Sequence, residues 1–124
     1  MIYFIGAGPG AADLITVKGK DLLEKADLII YAGSLVNPEL LKYAKPECVI
    51  MDSAKMTLEE VIAAMVPAAQ AGKLVVRLHT GDPSVYGAHR EQIDLLRSYN
   101  LDFEIVPGVS SFCAAAACLD AEYT

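Results

Sequence analysis

Residues 1–10 read MIYFIGAGPG. An apolar run from Ile2 to Ile5 ends at Gly6, and glycines then alternate with other residues as far as Gly10. The run has the length and continuity of a buried strand, and the glycine turn passes the chain on to a helix. Strand, glycine turn, helix is the opening unit of an α/β fold with a parallel sheet. The same spacing matches a dinucleotide fingerprint at Gly6, Gly8 and Ala11, which also needs an acidic residue near the end of the second strand. Here that strand ends Tyr31-Ala32-Gly33-Ser34, and Asp27 stands before it, at the wrong edge. Pro9 removes a backbone donor where a pyrophosphate wants amide hydrogens. A glycine loop that holds something else is the better reading, with a dinucleotide-binding oxidoreductase domain kept as a rival.

The pattern repeats outward from this unit. A helix is expected over about 12–25, with Leu14, Val17, Leu22 and Leu23 on one face. DLIIYAG is a second strand with a small-residue turn, and Asn37-Pro38 opens a short helix with asparagine as cap. ECVIMD is a third strand. Thr57 begins the capping box TLEE, and the helix behind it closes at Gly72. KLVVRLHT is a fourth strand, SVYGAHREQIDLLRSY a helix with Ser84 as its cap, and DFEIV a fifth strand. PGVSS then turns into the alanine-rich helix FCAAAACLDA. The expectation is a mostly parallel five-stranded sheet with helices on both faces, in one domain over residues 1–124.

Composition narrows the function. Apolar residues make up 54% and charged residues 21%, a globular balance. Net charge is −6 with no lysine or arginine cluster, which argues against a nucleic-acid surface. No apolar stretch is long enough for a membrane span, and the N-terminus lacks a signal-peptide pattern, so a cytoplasmic protein is expected. Cys48, Cys113 and Cys118 show no metal-ligand spacing and are expected to be reduced, buried thiols.

In an open parallel sheet, ligands bind at the carboxyl ends of the strands. That edge carries GAGPGAAD, YAGSLVN, HTGDPSVYGAH and PGVSS. Such an edge needs a lid, and ACLDAEYT follows the last strand with no further strand, so the front part of a longer protein is expected. In the strand-four loop, Gly81 permits a backbone conformation barred to other residues, and Pro83 holds Asp82 extended.

GAGPG, TGDPSVYGA and PGVSS, in that order, resemble the tetrapyrrole methylase family of S-adenosylmethionine-dependent methyltransferases. YAGSLVNPELL and DSAKMTLEEV resemble in particular the branch acting on precorrin-4 or its cobalt-bearing counterpart in cobalamin synthesis. The chain departs from the uroporphyrinogen branch, which carries aspartate and arginine where Ala32 and Gly33 stand, so that branch's acid–base residues are not carried over. The resemblance implies the N-terminal half of a two-domain enzyme, usually a homodimer, with the methyl donor between the domains. It places Pro9, Thr80, Gly81, Asp82, Val85, Ser110 and Ser111 at S-adenosylmethionine. Gly6, Gly8 and Gly10 would leave room for the tetrapyrrole, and Ser34 would reach it.

Methyl transfer from a sulfonium needs no metal. The protein's work is orientation and desolvation, worth up to ~7–11 kcal/mol for well-held reactants. Where the ring has to lose a proton after methylation, Tyr31, Lys55 and His79 are candidates for the base by residue type, and the sequence singles out none of them. A structural histidine at a strand end and a solvated lysine are the preferred readings of His79 and Lys55. His89, Arg90 and Glu91 are expected on a solvated helix surface. A tetrapyrrole bears several carboxylates, so Arg77, Arg90 and Arg97 are candidates for the charge it needs, or Arg77 is paired within the fold. A third class is a module that only mediates dimerisation.

Overall fold

The computed structural model describes residues 1–84 and 89–123, with Ser34 described through its backbone only. The five strands are β1 (Ile2–Gly6), β2 (Leu28–Tyr31), β3 (Val49–Asp52), β4 (Val75–His79) and β5 (Phe103–Val106). They form one parallel sheet in the order β3-β2-β4-β1-β5. Four α-helices accompany it among the described residues: α1 (Val17–Lys25), α2 (Leu58–Gln70), α3 (Arg90–Ser98) and α4 (Ser111–Cys118).

Alternate strand residues feed two cores, as a sheet covered on both faces requires. Ile2, Phe4, Leu28, Ile30 and Val75 pack under α2 and α3 through Val61, Ile62, Met65, Ile93 and Leu96. Ile5, Ile29, Val76, Leu78 and Val106 pack on the other face with Leu23, Ala26, Val36 and Leu40. β3 closes one edge of the sheet and leaves Val49 and Ile50 exposed.

Local chemistry explains where the helices start. The TLEE capping box forms as expected, with Thr57 and Glu60 exchanging side-chain-to-backbone bonds. Asn37 caps the 3-10 helix Pro38–Tyr43 by accepting from the Glu39 N–H. The first helix differs from expectation. Ala12–Leu14 is a 3-10 turn, and α1 begins only after Thr16, whose hydroxyl accepts from the Gly19 N–H at 3.0 Å. Leu14 and Val17 therefore stay exposed, and Gly19 and Leu23 are the residues that α1 buries. Gly19 lets that helix lie close to the sheet, since a side chain there would meet Ile5.

The helix expected from Ser84 is described only from Arg90, with His89 at its N-cap; residues 85–88 lie outside the described part. Helix α4 buries only Ala116, so Cys113 and Cys118 are exposed rather than buried. Cys48 is half-buried, and that burial pushes its thiol up.

Candidate functional site

Three loops leave the carboxyl ends of the adjacent strands β4, β1 and β5, and they meet. The Ala7 N–H donates to the His79 carbonyl at 2.6 Å. Gly8 and Gly81 then form an antiparallel bridge, exchanging N–H···O bonds of 3.2 and 2.8 Å. Gly81 has φ +60°, which carries the strand-four loop over the start of α4. A side chain at Gly81 would stand 3.7 Å from the Ser110 Cα and 3.8 Å from the Ser111 nitrogen. The motifs holding Pro9, Thr80–Asp82 and Ser110–Ser111 are thus brought to one edge, although they are far apart in the chain.

Within that edge the residues differ in exposure. Gly10, Thr80 and Ser111 are exposed, Pro9 and Asp82 are half-buried, and Gly81 and Ser110 are buried. Ser110 is the N-cap of α4 without using its side chain as a cap. No side-chain cap therefore occupies the first amides of that helix, and they suit a carboxylate or hydroxyl of a ligand. Val85 lies outside the described residues, as does the side chain of Ser34 in the 3-10 turn Gly33–Leu35.

The glycines divide into two kinds, which corrects their expected role. Gly6 is buried, and a side chain on it would stand 2.5 Å from the Gly81 carbonyl oxygen and 2.6 Å from the Gly108 Cα. Gly8 is also buried, at φ +84°, where a side chain would meet the Leu14 carbonyl oxygen at 2.9 Å. These two make room for neighbouring backbone, not for a ligand. Gly10 has nothing within 4 Å of its missing side chain and stays open. Asn37, expected only as a cap, also holds this loop by donating from Nδ2 to the Gly10 carbonyl at 2.7 Å. An Asn-Pro pair signals a cap locally, and nothing in it signals a bond to a loop 27 residues away.

The charged candidates are placed differently from expectation. Arg77 is buried under α3, where Nε donates to Gln92 Oε1 and Nη1 to the Ile30 carbonyl, both at 3.2 Å. It pairs with no carboxylate among the described residues, and burial pushes its guanidinium down to about 10. Arg97 lies over the Phe103 ring, at the start of β5 and so at the opposite edge of the sheet. Arg90 is exposed at the first turn of α3. Arg77 and Arg97 thus leave the glycine edge without their charge.

His79 is 6% exposed and stacks on Phe4, with ring centroids 5.9 Å apart. His89, expected on a solvated surface, packs instead against both Phe4 and His79. His79 Nε2 and His89 Nδ1 have no hydrogen-bond partner among the described residues. Burial, then the charges of Arg77 and His89, push the His79 imidazole down to about 3. Its burial and its stacking on Phe4 make His79 part of the packing at the end of β4. Lys55 is exposed in the turn after β3, and Tyr31 is half-buried, its carbonyl accepting from the Ser53 hydroxyl at 3.0 Å.

The dinucleotide reading loses its structural basis. Its phosphates need glycine amides at a helix N-terminus, and here the Gly8 amide is bonded to Gly81 while α1 starts only at Val17. Asp27 is committed elsewhere: it accepts from Lys45 Nζ and the Leu74 N–H, and those bonds hold its carboxyl below the usual range. Among the described residues no cluster of three metal-ligating side chains exists, and no helix is long and apolar enough to cross a membrane.

Residues 1–124 match the Tetrapyrrole (Corrin/Porphyrin) Methylases throughout. The chain is 59% identical to the cobalt-precorrin-4 C(11)-methyltransferase of Methanocaldococcus jannaschii, over 99% of its own length and 48% of the relative's. The solved structure of a cobalamin biosynthetic enzyme, cobalt precorrin-4 methyltransferase, superposes with TM-score 0.96 at 52% identity, over 99% of this chain and 52% of that one. The uroporphyrin-III C-methyl transferase of Thermus thermophilus, solved in complex with S-adenosyl homocysteine, superposes at TM-score 0.77 and 35% identity, over 93% of this chain and 47% of that one. The chain spans about half the length of the curated relatives it matches.

Proposed function

The chain belongs to the tetrapyrrole methylase family, and on that premise we propose that it is the N-terminal domain of an S-adenosylmethionine-dependent methyltransferase of cobalamin biosynthesis. The proposed reaction is methylation of precorrin-4, or its cobalt complex, at C11. The observation that carries this reading is the meeting of the Thr80–Asp82 loop with the uncapped start of α4, beside the glycine loop of β1.

Bound at that edge, S-adenosylmethionine supplies an already activated methyl group. The chain's own residues have to bind it, orient it and keep water away. Pro9, Thr80, Gly81, Asp82, Val85, Ser110 and Ser111 form the proposed donor contacts. The loop backbone of Thr80–Gly81 and the first amides of α4 supply the polar ones. Gly10 and Ser34 are the proposed tetrapyrrole contacts. With Arg77 buried and Arg97 at the far edge, Arg90 and residues elsewhere in the assembled enzyme are left to supply the charge facing the substrate's carboxylates. A cytoplasmic homodimer completes the proposal, in keeping with the family resemblance.

Titration calorimetry with S-adenosylhomocysteine tests this reading. The full-length polypeptide is expected to bind, and residues 1–124 alone to bind at least ~10-fold more weakly, because a pocket at a domain junction needs both walls. Absence of binding by the full-length polypeptide would remove the methyltransferase reading. Equal affinities would remove the two-walled site and leave the donor on this domain alone.

A further inference from the structure

Asp82 joins two parts of the chain that no strand pairing joins. Its Oδ1 accepts from the Ser84 N–H at 2.7 Å, and its Oδ2 accepts from the Gly108 N–H at 3.0 Å. The first bond closes the strand-four loop on itself, and the second crosses to the loop after β5. Around the crossing bond the backbones of Gly6, Gly81 and Gly108 are in contact, so the loops have no slack to rearrange. An amide packed this way needs an acceptor, and Asp82 provides it with a charged oxygen. Only Val109 separates Gly108 from Ser110 and Ser111, so whatever fixes Gly108 constrains the start of α4.

We infer that Asp82 is a positioning residue: its carboxylate is a strut that holds the Ser110–Ser111 turn against Thr80–Gly81, and it acts on donor binding through that turn. The inference rests on the reading of this edge as the donor site. It changes the part that Asp82 plays there. Each carboxylate oxygen faces a backbone donor inside the chain, so the residue shapes the site through those two bonds.

Asp82→Asn keeps the shape and one acceptor oxygen but turns the other into an amide that cannot accept from an N–H. The ligand-free protein is the first test. Gly108 should exchange its amide hydrogen slowly in the unsubstituted protein and about 10-fold or more faster in Asp82→Asn, through loss of a charge-assisted bond. The second test is S-adenosylhomocysteine affinity in the full-length polypeptide. Asp82→Asn and Ser110→Ala should each weaken it by roughly 10-fold, and the pair together by little more than the worse of the two, since both act through one turn. Asp82→Ala leaves no acceptor in either orientation. Fast Gly108 exchange in the unsubstituted protein, or exchange unchanged by both Asp82→Asn and Asp82→Ala, therefore overturns the strut whatever the ligand does. Losses that multiply across the two sites also overturn the inference and make Asp82 a direct contact. Slow native exchange that Asp82→Asn speeds, in a polypeptide that binds no S-adenosylhomocysteine, upholds the strut and removes the donor reading instead.

Discussion

Gly6→Ala is expected to cost the domain about 3 kcal/mol or more, the upper end of what overpacking a close-packed interior costs. The added methyl would stand 2.5 Å from the Gly81 carbonyl oxygen and 2.6 Å from the Gly108 Cα, and both are backbone atoms with no rotamer to yield. Relief would have to part the loops after β1, β4 and β5, breaking the Gly8–Gly81 bridge with them. Gly72→Ala serves as the reference. Gly72 has a positive φ, +79°, and nothing lies within 4 Å of it, so only the backbone preference is lost, about 1 kcal/mol. Urea denaturation of the two variants measures the difference. A Gly6→Ala midpoint equal to that of Gly72→Ala would mean that the three loops are not packed as described.

Acid is expected to destabilise the domain over a window set by His79. Its folded pKa of about 3 lies below the ordinary 6.5, so between these values the unfolded chain binds the proton more readily. The stability that goes with a neutral His79 is complete above pH 6.5 and is lost as pH falls toward 3. At 1.36 kcal/mol per pH unit the loss at pH 5 is about 2 kcal/mol. His79→Leu keeps an apolar side chain of similar bulk beside Phe4 and removes the titration. Its stability should be flat between pH 7 and 5, where the unsubstituted protein declines. Parallel pH profiles for the two proteins would place the acid sensitivity in another group.

Local signals carried most of the architecture. Continuous apolar runs marked the five strands, and TLEE and Asn37-Pro38 marked helix starts, because strand burial and capping depend on neighbours in the chain. The first helix was misjudged because the apolar spacing through Leu14 and Val17 continues across Thr16, whose hydroxyl sets the true start. The glycine motifs showed where the edge lies and not which glycines are free. Gly6 and Gly10 look alike in GAGPG, and they differ only in what the distant residues Gly81 and Gly108 do. Arg77 and His89 were misjudged for a related reason. For Arg77 a substrate or a carboxylate is the expected partner, and for His89 solvent, while the partners they have, Gln92, Ile30 and Phe4, come from other elements.

The position of β1 in the middle of the sheet has a consequence during synthesis. Ile2 leaves the ribosome well before the residues it pairs with, Val75 on one side and Phe103 on the other. β1 precedes the other four strands and has to wait for β4 before it acquires a neighbour. β2 and β3 can meet sooner, through Leu28 and Val49. Such long-range pairing slows folding and leaves an apolar strand exposed meanwhile. Of the pairings in this sheet, β2 with β3 is the first that synthesis makes possible. The segment MIYFIGAGPG, with the loop that anchors the glycine edge, is the piece that a holding chaperone has most reason to cover.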